Sequence, residues 1–112
     1  MKIREIKLID YTTTPSGRYK RHGKYSGEWF RDEILMPNII DAEIKNEKII
    51  INLNGFSKIP ADFLDEVFGG LIRKYKYKNF SKLQIICNND LGMIADIFSY
   101  VAEAQLLVFG KN

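Results

Sequence analysis

The sequence is poor in the residues that build disulfides, metal centres and many active sites. It contains one cysteine, Cys87, and one histidine, His22, among 112 residues. A single cysteine excludes an internal disulfide and is typical of a reducing compartment. His22 has no nucleophile or paired carboxylate at a useful spacing, and Cys87 lies in an apolar run, where cysteine usually acts as a small hydrophobe. We therefore expect no catalytic residue, no metal site and no cofactor.

A long apolar run at the start of the chain and a strong charge of one sign are also missing. The first residues carry no segment that could act as a signal or a membrane span, so we expect a cytoplasmic protein with no membrane partner. The net charge of +3 is well below the charge density of a dedicated nucleic-acid binder. Charge alone therefore assigns no partner.

The residues that are present predict one α/β domain over residues 1–112. Apolar residues make up 46% of the chain, which is enough for one core without covalent or metal cross-links. Strands are predicted over residues 2–10, 18–22, 48–53, 82–87 and 106–109. Helices are predicted over residues 27–36, where Pro37 should end the first, over residues 61–73, and after a cap at 88–90, with an inner stripe of Ile94, Ile97, Phe98 and Val101.

Two strand–helix units in tandem indicate parallel strands with their helices on the same side of the sheet. The expected fold is a small mixed, mostly parallel sheet of about four to five strands with about three helices.

The helix predicted over residues 61–73 organises the chain. Its apolar positions recur at helical spacing, which places one side of the helix in the core. Those positions are Phe63, Leu64, Val67, Phe68, Leu71, Ile72 and Tyr75. Acidic residues lie near its start and basic residues near its end, as the helix dipole favours. The basic and aromatic segment 74–78 is most simply the C-terminus of this helix.

The two glycines of this helix, Gly69 and Gly70, do not fit a regular helix, since each costs about 1 kcal/mol relative to alanine. Counting about 100° per residue, Gly69 projects opposite the apolar stripe, in line with Asp62, Glu66 and Arg73. One interpretation is helix packing or tolerated strain. The other is a shallow notch on an outward-facing docking line, where another protein approaches. In that case Asp62, Glu66, Gly69, Gly70 and Arg73 bind the partner.

A second candidate site is the basic loop over residues 17–24. Four cations, Arg18, Lys20, Arg21 and Lys24, alternate there with Tyr19 and Tyr25. The spacing of its glycines does not match a Walker A phosphate loop. The loop is either a solvated basic segment or a site for a ligand, an acidic partner or a nucleic-acid backbone.

Three stretches of the chain together resemble the bacterial STAS-like domains of unknown function. They are Thr13-Thr14-Pro15-Ser16-Gly17-Arg18-Tyr19, then Tyr25-Ser26-Gly27-Glu28-Trp29-Phe30-Arg31 with Leu35-Met36-Pro37, and Phe63-Leu64-Asp65-Glu66-Val67-Phe68-Gly69-Gly70-Leu71. The resemblance implies a fold similar to that of anti-sigma-factor antagonists. It also implies a non-enzymatic regulatory role, in which the central helix and the preceding loop dock on a histidine-kinase-like ATPase or another regulator. Ligand or nucleic-acid binding through the basic loop is the alternative.

One position departs from that pattern. In such antagonists a serine at the start of the central helix is phosphorylated by the partner, whereas this chain has Pro60-Ala61-Asp62 there and Ser57 several residues upstream. The resemblance therefore implies partner binding without establishing a serine switch. Asp62 would place a fixed negative charge at this end of the helix.

Overall fold

Three short strands form the sheet of the computed structural model, which describes residues 2–110. Strands β1 (Ile3–Lys7), β2 (Lys48–Asn52) and β3 (Leu83–Ile86) are all parallel and lie in the order β1-β2-β3. The predicted parallel arrangement is confirmed, but the sheet has three strands rather than four to five. Of the two extra predicted strands, residues 20–22 form a 3₁₀ turn, and residues 106–109 lie within the last helix.

One face of the sheet is buried and the other is open. Ile6 and Ile51 are partners in the register and both are buried, whereas Glu5, Lys7 and Gln84 on the opposite face are exposed. We infer that the helices cover the same side of the sheet, as right-handed crossovers between neighbouring parallel strands require.

The first helix, α1, covers residues 27–44 and contains a wide turn. It runs without a break through Gly27–Trp29, the π-helical segment Phe30–Leu35 and Met36–Ile44. Its predicted N-cap is confirmed, because the Ser26 hydroxyl oxygen accepts a hydrogen bond from the Trp29 amide at 3.1 Å. The predicted stop at Pro37 is wrong. Pro37 directly follows the wide turn, where the backbone partners are already shifted, so its missing N–H costs less than in a regular helix.

The central helix, α2, covers residues 61–75 and also contains a wide turn. Ala61–Leu64 and Gly70–Tyr75 are α-helical, and Asp65–Gly69 between them is π-helical. A π turn bonds residue i to i+5 and so displaces the following side chains around the axis. Both Gly69 and Gly70 are buried. The prediction that Gly69 lies on an exposed line of the helix is therefore wrong, because the side chains of Arg73 and Asp65 cover it.

The last helix, α3 (Leu91–Phe109), begins as predicted: the Asp90 carboxylate accepts a hydrogen bond from the Met93 amide at 3.0 Å. Of the predicted inner stripe, Ile97 and Val101 are buried and Ile94 is half-buried, but Phe98 is 52% exposed. By length and composition alone α3 could cross a membrane, a test that helices of soluble domains also pass.

The helices α1 and α2 touch backbone to backbone at Gly27. A Cβ atom built on Gly27 would lie 2.6 Å from the Phe63 carbonyl oxygen and 2.9 Å from the Glu66 Cβ. Any side chain at this position would therefore push the two helices apart.

We expect Gly27→Ala to lower the free energy of unfolding by roughly 1–3 kcal/mol, the usual cost of overpacking, although alanine is the better helix former. Gly92→Ala is the matched control. A Cβ atom at Gly92 would meet only the Asp90 carboxylate, at 3.3 Å, so this change should be neutral or stabilising by up to about 1 kcal/mol. Urea unfolding of both variants measures the difference, and equal stability of the two variants would contradict the close approach.

Candidate docking site

The predicted docking line on α2 does not form one exposed surface. Asp62 is exposed in the first turn and Arg73 is half-buried near the end, but Glu66, Gly69 and Gly70 are buried. Most of these residues contact other residues of the same chain rather than solvent. Their arrangement is explained by a residue that sequence analysis did not select, Arg31.

Arg31 is an arginine buried between α1 and α2, with only 2% of its side chain exposed. Its Nη1 atom donates hydrogen bonds to Oε2 of Glu66 at 2.5 Å and to the Glu66 carbonyl oxygen at 3.0 Å, and its Nε atom donates to Asp32 at 2.8 Å. The sequence contained a signal for this burial. Ile34 and Leu35 follow Arg31 by three and four positions, so the three residues share one face of the helix, and Arg31 also follows the apolar Phe30.

The two central glycines make room for guanidinium groups. A Cβ atom at Gly70 would collide with Nη1 of Arg31, and one at Gly69 would lie 2.5 Å from Nη1 of Arg73 and 2.7 Å from Asp65. Of the two interpretations of the glycine pair, the structure supports packing. The space over Gly69 is filled by the side chains of Arg73 and Asp65 from the same helix.

The ion pairs continue outward from Arg31 into the basic loop. Nη1 of Arg18 lies 2.8 Å from Asp65 and 3.3 Å from Glu66, and Nη1 of Arg73 lies 3.2 Å from Asp65. Arg18, one of the four cations predicted for the loop site, therefore forms ion pairs with carboxylates of α2.

Asp32 connects Arg31 to the C-terminal end of α2. Its carboxylate accepts hydrogen bonds from Lys74 at 2.7 Å and from the Tyr75 hydroxyl at 2.9 Å, in addition to the one from Arg31. Burial alone would raise the pKa of Asp32, but these donors outweigh it and lower the pKa from 3.8 to about 2.

The remaining cations of the basic loop are held more loosely. Lys20 pairs with Glu33 at 2.9 Å, Arg21 lies over the Tyr19 ring, and Lys24 lies over the ring of the neighbouring tyrosine. Within residues 2–110, Arg21 and Lys24 form no ion pair. The loop therefore offers two unpaired cations rather than four.

The loop between β2 and α2, residues 53–60, presents polar groups from a fixed backbone. Phe56 and Ile59 are buried anchors, while Ser57 and Lys58 between them are exposed. The loop is also tied to the one that precedes α3, because Asn54 accepts a hydrogen bond from an amide of that loop at 2.8 Å. Ser57, Lys58 and Asp62 together form an exposed group, the loop–helix surface.

A family model described as a STAS-like domain of unknown function (DUF4325) matches residues 26–91 of the chain. The chain belongs to this family. The matched segment of this STAS-like domain runs from the N-cap of α1 to the start of α3 and contains the Arg31–Glu66 pair, both central glycines and the loop–helix surface. No curated protein and no solved structure matches the chain.

We expect Glu66→Gln to lower the free energy of unfolding by about 3 kcal/mol, because it removes a carboxylate that compensates the buried Arg31 guanidinium and leaves Asp32 to do so. Glu33→Gln is the control, since Glu33 is exposed and, among residues 2–110, forms an ion pair with Lys20 alone, and it should stay within about 0.5 kcal/mol of the wild type. Urea denaturation measures both variants. Replacing Arg31 and Glu66 together by methionine should cost less than Glu66→Gln alone, and equal stability of the Glu66→Gln and Glu33→Gln variants would contradict the role of the pair.

Acid should weaken the contacts of Asp32. Since the pKa of Asp32 is lower in the folded state, its contribution is present above pH 3.8 and is lost as the pH falls toward about 2. At pH 6, Asp32→Asn should cost roughly 1 kcal/mol, less than the full shift would give because Lys74 and Tyr75 are exposed to screening solvent. The measurement is the stability difference between variant and wild type from pH 6 to pH 2. A stability difference that does not shrink in acid would contradict the lowered pKa of Asp32. Glu103→Gln, which lies outside this cluster, is the control.

Proposed function

We propose that this STAS-like domain is a non-enzymatic regulatory module that binds a protein partner through the loop–helix surface of Ser57, Lys58 and Asp62. The single observation that supports this is the exposure of these side chains beside the buried anchors Phe56 and Ile59, while the middle of α2, residues 66–72, is buried. The resemblance to anti-sigma-factor antagonists points to the same region, the central helix and its preceding loop. It also suggests a histidine-kinase-like ATPase as the partner.

The charged cluster around Arg31 is a poor candidate for catalysis. Each of Arg18, Arg31, Asp32 and Glu66 already has a partner of opposite charge within 3.3 Å. Groups paired with one another in this way stabilise the helix crossing and are not free to bind or transfer a proton to a substrate. Its role in the proposed function is to hold α2 in place.

The shape of the loop–helix surface also suits a protein partner. A small cavity of about 220 Å³ lies beside Lys58 and Ala61 and is lined on the other side by Asp90, Asp96 and Tyr100. Lys58 and Asp96 thus contribute opposite charges to its lining. A partner side chain that enters this cavity would bring its flanking charges to these two residues.

The proposed surface carries a fixed charge where regulated relatives carry a phosphorylated serine. Ala61 and Asp62 have no hydroxyl group, so binding at this helix end should be indifferent to ATP and kinase activity. Ser57 is the nearest exposed hydroxyl group, and its phosphorylation by the partner would refute the fixed state.

A second candidate is nucleic-acid binding by the basic loop. The observation that favours it is the pairing of exposed cations with tyrosine rings: the Arg21 guanidinium lies 4.8 Å from the Tyr19 ring centre and Lys24 lies 5.3 Å from that of Tyr25. Such groups can contact phosphates and stack on bases.

A pull-down from native lysate with the immobilised domain, quantified by mass spectrometry, tests both candidates. Lys58→Glu should reduce recovery of the partner by about tenfold or more, because reversing a charge within an interface costs several kcal/mol. Lys45→Glu is the matched control at the distant end of α1. Asp62→Ser should change the affinity while keeping the fold, since Asp62 is exposed in the first turn of α2, where its charge is worth only about 0.3–1 kcal/mol.

Equal recovery by wild type and Lys58→Glu would contradict docking at the loop–helix surface. Arg21→Glu separates the two candidates. If Arg21→Glu loses a bound nucleic acid while Lys58→Glu retains it, the basic loop is the binding site.

A further inference from the structure

The outer face of α3 carries apolar side chains that residues 2–110 leave largely uncovered, although one edge of Phe98 packs against the buried Phe80 ring. Leu91 is 76%, Phe98 52% and Leu106 59% exposed, and Ala95 and Ala102 between them are exposed as well. These five residues are spaced four, three, four and four positions apart, so they lie on one face of the helix. They are called the α3 stripe below. Met93, Ile97, Val101 and Ala104 form a different, buried face.

The α3 stripe is complementary to itself. Its residue types read the same in both directions: Leu, Ala, Phe, Ala, Leu. In an interface with two-fold symmetry, residue i of one copy contacts residue j of the other, and j contacts i. Two α3 helices laid antiparallel with Phe98 at the two-fold axis bring Leu91 beside the Leu106 of the second copy, and Ala95 beside its Ala102. The alanines let the helix axes approach closely on either side of Phe98.

We propose that the α3 stripe pairs with the α3 stripe of a second copy of this chain in an antiparallel, two-fold symmetric dimer.

Charge at the ends of the helix favours the antiparallel arrangement. The Lys78 ammonium group lies over the Phe109 ring, 5.7 Å from its centre, at the C-terminal end of α3. The N-terminal end is capped by Asp90. Antiparallel pairing brings Lys78 of each copy to the Asp90 end of the other, whereas parallel pairing places like charges together. Antiparallel helices also have opposed dipoles, which attract.

The charges of α3 argue against a lipid surface as the occupant. The helix contains no lysine or arginine, and its two charged residues, Asp96 and Glu103, are exposed beside the α3 stripe. Helices that lie on membranes use basic residues on the polar face to bind anionic lipids. Acidic residues in that position are repelled by the same lipids.

The size of the α3 stripe sets the expected strength of the dimer. A helix of 19 residues is about 28 Å long, and a specific interface needs roughly 1,000 Å² of buried surface in total. One helix face per copy reaches only the low end of that range. The dimer should therefore dissociate on dilution within the micromolar range, where association is measurable.

Sedimentation velocity across a concentration series tests the dimer. The wild type should shift from monomer to dimer as its concentration rises, and Phe98→Glu should raise the dissociation constant by about tenfold or more, because it places a charge at the centre of the interface. Leu107→Glu is the matched control, since Leu107 is 78% exposed but lies outside the α3 stripe. Its dissociation constant should stay close to that of the wild type. Circular dichroism checks that both variants keep their helices.

Cross-linking tests the orientation. With Cys87→Ala as the background, Leu91→Cys and Leu106→Cys proteins are treated with a short bis-maleimide. An antiparallel dimer cross-links a mixture of the two but neither alone, since equal positions lie about 22 Å apart along the helix. Efficient cross-linking of Leu91→Cys alone would overturn the antiparallel arrangement.

Three other results would overturn the proposal. The wild type could stay monomeric at every concentration. Phe98→Glu and Leu107→Glu could weaken association equally, which would show that association is not specific to the α3 stripe. A monomeric wild type could sediment with phosphatidylcholine–phosphatidylserine vesicles and lose this binding on Phe98→Glu, which would assign the α3 stripe to a membrane.

Discussion

The buried ion pair between Arg31 and Glu66 is the constraint on which the rest of the domain depends. A guanidinium group removed from water loses several kcal/mol of hydration free energy, and only close ion pairing with further hydrogen bonds offsets this loss. Here Glu66 supplies a carboxylate and a carbonyl oxygen, and Asp32 supplies a second carboxylate. The same contact requires that Gly70 carry no side chain and that Gly27 let α1 approach α2 closely. The pair therefore fixes where the two helices cross.

This crossing also decides which parts of the domain are available for binding. The middle of α2 is occupied by Arg18, Arg31 and Arg73, so the exposed residues of α2 lie in its first and last turns. The proposed binding surface is therefore separate from the ion pairs in the middle of the helix. We expect substitutions of Glu66 to change the stability of the fold, whereas substitutions of Lys58 change an exposed surface that contributes little to core packing.

Sequence patterns predicted those strands, helices and caps that are determined by residues close together in the sequence. The β-branched run of β2, the cap of α3 and the apolar spacing of α2 all depend on neighbouring residues, and all three are confirmed. The wide turns in α1 and α2 have no local sequence signal of this kind. The spacing rules therefore end α1 too early, at Pro37, and the apolar pattern does not show that Arg73 and Asp65 cover Gly69. The Leu106–Phe109 segment resembles a strand by composition, but it continues the spacing of Val101 and Ala104. For the candidate site, the place of Asp62 in the first turn of α2 was predictable from the helix dipole. The burial of Arg31 required knowing what lies opposite it.

The open face of the sheet raises the question of why association should occur at α3 rather than there. Parallel sheets are normally covered on both faces, yet one face of this sheet is open, and Glu5, Lys7, Lys48 and Gln84 on it are exposed. These polar side chains surround the half-buried Ile50 and Ile86 and the exposed Ile3. Charged side chains on short strands are a common protection against pairing with another chain. The α3 stripe has no such protection, because its five residues are all apolar and its neighbouring acids lie to one side. An exposed apolar surface of this kind usually marks an interaction site. The distribution of charge therefore directs association away from the sheet and toward α3.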